Sequence, residues 1–282
     1  MKVYKVGIVG TGNAAESHFK SLSKNNLFEI KSVCGKTPVR LRNRGKKWNI
    51  NTYSDTTEMV VLEKLDVVLV CNENSLHYIE AKKAVEAGSH VVVEKPIDAD
   101  IKNSKKLIKL CKKNKKFLVV VMQKRYDLGT NYLKKLIKEN YLGKIISIRV
   151  EIFMHRNKKY FSNRKWIKNI KMVGGGITLH HAIHSIDQII YILNKRIHSV
   201  SFWKSNSNYK LPFEDTSGGW IRFSENIIAS INASVCCNSN LKNRIEIYGK
   251  KESICLEKDK IYHLPISKNG TVKILKKFKS DE

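Results

Sequence analysis

Acidic residues are scarce in this chain of 282. Its 25 Asp and Glu stand against 53 Lys and Arg, a formal net charge of +28. Such an imbalance raises nucleic acid as a partner, but the distribution argues against it. The basic residues are 43 lysines and 10 arginines. They are spread through nearly every helical stretch, without the interleaved aromatics that stack on bases. Residues 102–116 fit the solvated face of a helix, with Ile101, Leu107, Ile108 and Cys111 turned inward. No nucleic-acid partner is expected. Long apolar runs are also missing: nothing approaches the roughly 20 residues of a membrane span. The first residues run into a strand without the apolar block and cleavage site of a signal peptide. The expectation is a cytoplasmic protein with no membrane partner. The six cysteines (34, 71, 111, 236, 237, 255) show no Cys-x-x-Cys spacing, so reduced structural thiols are expected and no metal finger. Repeats and low-complexity linkers are absent.

What is present is an alternation. Apolar runs at residues 3–9, 28–34, 65–71, 90–93 and 117–122 read as strands. Between them a helix starts after Gly12, and others fall at 39–48, 56–62, 75–87 and 101–114, the fourth closed by Gly88. Near-continuous Val-rich strands alternating with helices mean a parallel sheet covered on both faces. From residue 123 the texture changes. A helix at 128–140 leads to a long alternating strand at 145–154, and a helix follows at 177–193. Period-two strands come at 200–203, 217–223, 227–235, 244–248 and 253–256. The fold class is therefore α/β: an N-terminal Rossmann doubly wound parallel sheet (1–122) plus a C-terminal α+β domain (123–282) with a largely antiparallel open sheet.

Gly10-Thr11-Gly12-Asn13-Ala14-Ala15 lies between the first strand and the first helix. Gly10 permits a tight turn, Gly12 lets backbone approach a pyrophosphate, and Ala15 allows close helix–strand packing. The helix N-terminus at Asn13 and Ala14 would face the phosphates. An acidic residue at the end of the second strand would bind a ribose 2′-hydroxyl. This chain has Cys34-Gly35-Lys36-Thr37 there, with Arg40 close behind. An NAD(P) cofactor is expected, with NADP(H) favoured and Lys36 and Thr37 near its 2′-phosphate. Glu94-Lys95-Pro96 closes another apolar strand, which puts Lys95 at the ligand edge of the sheet. Later in the chain, His180, His184 and Asp187 fall at i, i+4 and i+7, one face of an α-helix. Leu179, Ile183, Ile186 and Ile190 form the adjoining apolar stripe. Gly174-Gly175-Gly176 ahead of that helix would let substrate or nicotinamide approach the backbone. His180 and His184 with Asp187 would also suit a metal, but no Glu stands between the histidines in the metalloprotease register. No metal is expected.

These motifs together resemble the Gfo/Idh/MocA oxidoreductases over residues 3 to about 256. Glu94-Lys95-Pro96 follows the glycine motif, and Cys71-Asn72-Glu73-Asn74-Ser75-Leu76-His77 stands where the family has Thr-Pro-Asn-x-x-His. Gln123-Lys124-Arg125-Tyr126, Trp166 ahead of the three glycines, and His184-Ser185-Ile186-Asp187 complete the order, followed by Phe213-Glu214-Asp215-Thr216. The resemblance implies hydride transfer between nicotinamide and a secondary alcohol or ketone of a sugar, cyclitol or nucleotide-sugar. It makes Lys95 and His184 the catalytic pair, with His180, at a position often Asp or Asn, sharing the proton or touching the sugar. Cys71, Asn72, Asn74, His77, Glu94 and Gln123 join the cofactor set, although His77 also suits a cap or packing role. Arg125, Tyr126, Arg164, Trp166 and Asp187 are substrate candidates. A homo-oligomer through the C-terminal sheet is implied. The chain stops where relatives continue, so the second domain reads as shortened. That feature and His180 keep open an alternative, a catalytically weak cofactor-binding sensor on the same scaffold.

Overall fold

The apolar runs become strands where β-branched residues are hidden on both faces, most completely at residues 6–9 and Val67–Val70. The computed structural model describes residues 2–162, 167, 169–238, 241, 243–258, 260–264 and 274–277. The chain divides into two units, Met1–Val121 with Asn169–Gly174, and Met122–Lys168 with Gly175–Glu282. Residues 169–174 thus return to the first unit, a crossing that a simple cut at 122 misses.

In the first unit the chain runs β1 (Tyr4–Val9), α1 (Asn13–Leu22), β2 (Phe28–Cys34), α2 (Pro38–Trp48), β3 (Asn51–Tyr53) and α3 (Thr56–Glu63). It continues through β4 (Val67–Val70), α4 (His77–Glu86), β5 (His90–Val93), α5 (Ile101–Lys113) and β6 (Leu118–Val120). The sheet has six strands in the order β3-β2-β1-β4-β5-β6, and every pair is parallel. The edge strand β3 was not anticipated: Asn51-Thr52-Tyr53 carries no apolar run. One core cluster joins Ile8, Ala15, Val33, Trp48, Leu69 and Cys71. Another gathers Val9, Met59, Val68, Val70, Ala84, Val93 and Leu107. The strand order reverses between β1 and β4, which opens the ligand crevice of such sheets at their carboxyl ends.

The second unit contains α6 (Leu128–Lys138), β7 (Ile145–Phe153) and α7 (Lys158–Ser162). The segment returning to the first unit carries α8 (Ile170–Val173). The second unit resumes with α9 (Ile183–Leu193), β8 (Ile197–Ser205), β9 (Thr216–Phe223), β10 (Ile228–Ser234), β11 (Arg244–Gly249), β12 (Ser253–Glu257), β13 (Lys260–Leu264) and β14 (Ile274–Lys277). The eight strands lie in the order β14-β13-β12-β11-β7-β10-β9-β8. All neighbours are antiparallel except β10 and β7, which run parallel. Ile148, Val150 and Ile152 are fully buried on one face of β7, and Ile245, Ile247 and Ile231 share that layer.

The helix carrying the histidines departs from expectation. Thr178–Ala182 forms a π turn before α9, with Ile183 N–H reaching Thr178 O. A wider turn inserts an extra residue; His180 lies inside it and His184 follows in the first turn of α9. The buried side of α9 is also shifted from the expected stripe: Ser185, Asp187, Gln188, Ile189, Ile192 and Leu193 are hidden, while Ile183, Ile186 and Ile190 are half-buried.

Candidate active site

The glycine turn sits at the strand-order reversal. Gly10 has φ +122°, and a β-carbon there would lie 2.8 Å from Cys71 O. Its N–H donates to Cys34 O at 2.8 Å. Gly10 is therefore required by the fold itself. Gly12 differs: its backbone is extended (φ −84°, ψ −169°), and an added β-carbon would meet nothing within 4 Å. Gly12 is the N-cap of α1, and the open space beside it among the described residues suits a ligand. No side chain caps α1, which leaves its first N–H groups at Asn13 and Ala14 to an anion. Asn72, just past β4, has a buried Oδ1 with no hydrogen-bond partner among the described residues. An orphaned buried acceptor beside an uncapped helix and an open glycine fits a dinucleotide with hydrogen-bond donors to offer.

Other members of the expected cofactor set are committed to structure. Asn74 is buried, and its Nδ2 donates to Val173 O at 2.9 Å, holding α8. The His77 ring is 1% exposed, with Nδ1 2.8 Å from Pro96 O and Nε2 3.1 Å from Asn72 O. Burial pushes its pKa down against those two carbonyls. A neutral ring has one N–H, and the shorter contact takes it. His77 and Asn74 thus brace the loops around them. The Cys71 thiol lies in the core, its pKa raised well above normal by burial and then by Glu94; what Cys71 offers the site is backbone. Gly35 keeps the end of β2 close to the turn, since a β-carbon would stand 3.0 Å from Thr11 Cγ2. Lys36 Nζ donates to Ser54 O at 3.0 Å. Thr37 occupies the N-cap of α2 without a side-chain cap bond, and Pro38 follows.

Sequence reasoning missed what fixes the turn from outside. Arg44 donates to Thr11 O at 2.8 Å and also to Glu16, and its guanidinium lies 4.8 Å from the Trp48 ring. Lys47 reaches Glu16 at 2.8 Å, and with burial opposed by these cations the Glu16 carboxyl is held low, Lys47 contributing most. The scattered arginines of α2 carried no visible signal of this role.

Lys95 stands half-buried past the end of β5, and the Lys95–Pro96 peptide is cis. Burial lowers its ammonium pKa below that of an ordinary lysine, with Glu94 opposing. A lysine shifted this way shares a proton more readily near neutrality.

In the second unit, His180 and His181 both line a small pocket, partly open to solvent, with Tyr160, Phe161, Phe213 and Glu214, and His184 is not among its walls. Asp187 belongs to the buried side of α9. It is 7% exposed and takes a two-point ion pair from Arg125, Nε to Oδ2 at 2.8 Å and the second nitrogen to Oδ1 at 2.6 Å. The two proposed substrate groups are joined to each other. Tyr126 is 79% exposed, and Gln123 is also exposed. Arg164 and Trp166 lie outside the described residues.

Two of the three glycines answer to the fold. Gly174, in the first unit, has φ +83°, and a β-carbon would press within 2.9 Å of Ala99. In the second unit a β-carbon at Gly176 would stand 1.9 Å from Glu214 O. Close ligand approach is not what requires either residue. Among the described residues no three His, Cys, Asp or Glu side chains converge as a metal site requires, and no helix is long and apolar enough to cross a membrane.

Residues 4–122 match the oxidoreductase family with an NAD-binding Rossmann fold, and 130–255 match the GFO/IDH/MocA C-terminal domain. The chain belongs to the GFO/IDH/MocA oxidoreductase family. Curated relatives include D-glucoside 3-dehydrogenase of Escherichia coli, 27% identical over 71% of this chain and 58% of that protein. Myo-inositol 2-dehydrogenase of Thermotoga maritima is 24% identical over 89% of this chain and 74% of that one. The chain thus spans little more than half the length of the first relative and about three quarters of the second. Among solved structures, the WlbA dehydrogenase of Bordetella pertussis in complex with NADH and UDP-GlcNAcA has a TM-score of 0.89 at 22% identity, covering 98% of this chain and 78% of that one. Levoglucosan dehydrogenase with NADH and L-sorbose gives 0.86 at 21%, covering 99% and 81%. These likenesses establish the family fold.

Proposed function

We infer that this family member is a nicotinamide-dependent dehydrogenase or reductase acting on a secondary alcohol or ketone of a sugar, cyclitol or nucleotide-sugar. The observation that carries the reading is the contrast at the glycine turn: the fold requires Gly10, while Gly12 has open space beside it and the Asn72 Oδ1 lacks a donor among the described residues, as a bound dinucleotide would explain. When bound, the nicotinamide supplies the hydride acceptor or donor. Lys95 is assigned as the donor that holds the substrate oxygen, because burial lowers its pKa while Glu94 keeps a carboxylate beside it. His184 is assigned as general base or acid, and His180 as a substrate contact in its aromatic pocket. Lys95→Ala should abolish turnover in a screen of free and UDP-linked sugars read by nicotinamide absorbance, while leaving NADH or NADPH binding within about threefold. Near-normal turnover in that variant would sink the assignment. Turnover at all separates an enzyme from a cofactor-binding sensor.

For the cofactor, the end of β2 offers no carboxylate to a 2′-hydroxyl and places Lys36 and Thr37 there, so NADP(H) is favoured. Comparing dissociation constants for NADH and NADPH tests this, and a preference for NADH reverses it. Self-association is proposed through the C-terminal sheet. All nine residues of β8 are exposed at its edge, and Trp203 (66%) and Trp220 (51%) share one face. Light scattering should report an oligomer that Trp203→Glu dissociates.

A further inference from the structure

Helix α1 does more than present its N-terminus. In its second turn it places His18 Nε2 2.8 Å from Glu94 Oε1, with the two side chains 23% and 20% exposed. The other oxygen of Glu94 accepts the main-chain N–H of Lys95 at 3.1 Å. The Glu94 N–H donates to Val70 O at 2.9 Å, tying the segment to β4. One carboxylate oxygen is thus held by α1, and the other is turned onto the backbone of the lysine. A carboxylate taken out of water stays ionised where donors surround it. Here burial opposes ionisation, yet the His18 hydrogen bond and charge, with the Lys95 N–H and charge, hold the Glu94 carboxyl below its usual range. The other titratable groups that feel Glu94 are Cys71 and His77, both kept neutral by burial.

We propose that His18 is a positioning residue for Lys95, clamping Glu94 so that its charge stands behind the lysine without collapsing onto the ammonium. The consequence for catalysis rests on the dehydrogenase reading. Without the His18 donor, Glu94 Oε1 is released from α1 and can turn toward the neighbouring Lys95 ammonium. A direct ion pair would raise the lysine pKa and withdraw its N–H groups from a substrate oxygen. The same helix therefore serves the anion site at one end and the lysine along its side.

The test needs no substrate. Competitive acetylation with acetic anhydride across a pH series, read at the Lys95 peptide by mass spectrometry, gives the lysine's titration midpoint. His18→Leu should raise the midpoint by about half a unit, roughly threefold less free amine below it. His18→Gln, which retains a nitrogen donor near the Nε2 position, should restore the wild-type midpoint. Glu94→Gln removes the charge and should lower it, and this arm stands even if His18→Leu does not fold. A wild-type midpoint in folded His18→Leu overturns the proposal, as does an equal shift in His18→Gln or no shift in Glu94→Gln. Failure to bind NADH or NADPH at all would instead defeat the dehydrogenase reading and leave the labelling result intact.

Discussion

Exchanging the two glycines of the turn should damage two different properties. At Gly10 the backbone has φ +122°, and a methyl group would lie 2.8 Å from Cys71 O and 2.9 Å from its carbon. That carbonyl belongs to the strand end beside β1, where Cys71 N–H already donates to Val9 O at 2.8 Å, so it has little room to yield. Gly10→Ala should therefore cost about 3 kcal/mol, from backbone strain plus the clash. For a domain of this size that lowers Tm by roughly 6–15 °C. At Gly12 the backbone is extended and no atom lies within 4 Å of a new β-carbon. Gly12→Val loses some N-cap preference and gains from a stiffer unfolded chain, a net change within about 1 kcal/mol. Its methyl groups, however, fill the space assigned to the pyrophosphate. NADPH or NADH affinity should fall at least 100-fold, about 2.7 kcal/mol. Thermal melts without ligand and calorimetric titration with each nucleotide separate the two effects. Wild-type affinity in a folded Gly12→Val protein would refute the placement of the pyrophosphate.

Asp187→Ala should destabilise the second unit by about 2 kcal/mol, because a nearly buried carboxylate loses its two-point pairing with the partly exposed Arg125. Denaturant melts measure this, and unchanged stability with an altered sugar KM would return Asp187 to the substrate. Asp55 caps α3 through the N–H groups of Thr57 and Glu58 and pairs with Lys83 at 2.8 Å. Its pKa is held at about 2, chiefly by Lys83 and against burial. The folded value lies below the unfolded one, so the stabilisation is fully present above about pH 4 and lost as pH falls from there to about 2. The side chain is 40% exposed, so the effect is discounted to about 1 kcal/mol. The stability gap between wild type and Asp55→Asn should close over that acid window, and a gap constant with pH would show that the carboxylate charge contributes nothing.

The parallel sheet was legible because buried β-branched runs carry their signal locally, and the alternation with helices left one arrangement open. Its edge strand was not, because Asn51-Thr52-Tyr53 pairs through backbone alone. The period-two strands of the second unit were legible for the same local reason, but the parallel pairing of β10 with β7 is a matter of long-range topology. At the site, spacing singled out Gly10, Gly12 and Lys95 as candidates. For the histidine helix, phase arithmetic assumes an unbroken α-helix, whereas the chain inserts a π turn at Thr178–Ala182. Arg44 and His18 escaped notice since their partners, Thr11 O and Glu94, are distant in sequence.

The family motifs mix two kinds of residue, and the structure separates them by asking which needs the protein itself satisfies. Asn74, His77, Gly174, Gly176 and Asp187 have their roles explained by a carbonyl, an approaching backbone or an ion pair inside their own unit. Gly12 and the Asn72 side-chain Oδ1 are not so explained among the described residues: one has open space beside it, the other is a buried acceptor without a donor. An unmet acceptor costs about 1–3 kcal/mol, so a fold that retains it is balanced by something gained on binding. Glu94 belongs to both kinds, since it is satisfied by His18 yet positioned against Lys95. That double membership is why the glutamate, the lysine and α1 are best treated as one unit of design, with the lysine's proton affinity set by a histidine that no catalytic motif contains.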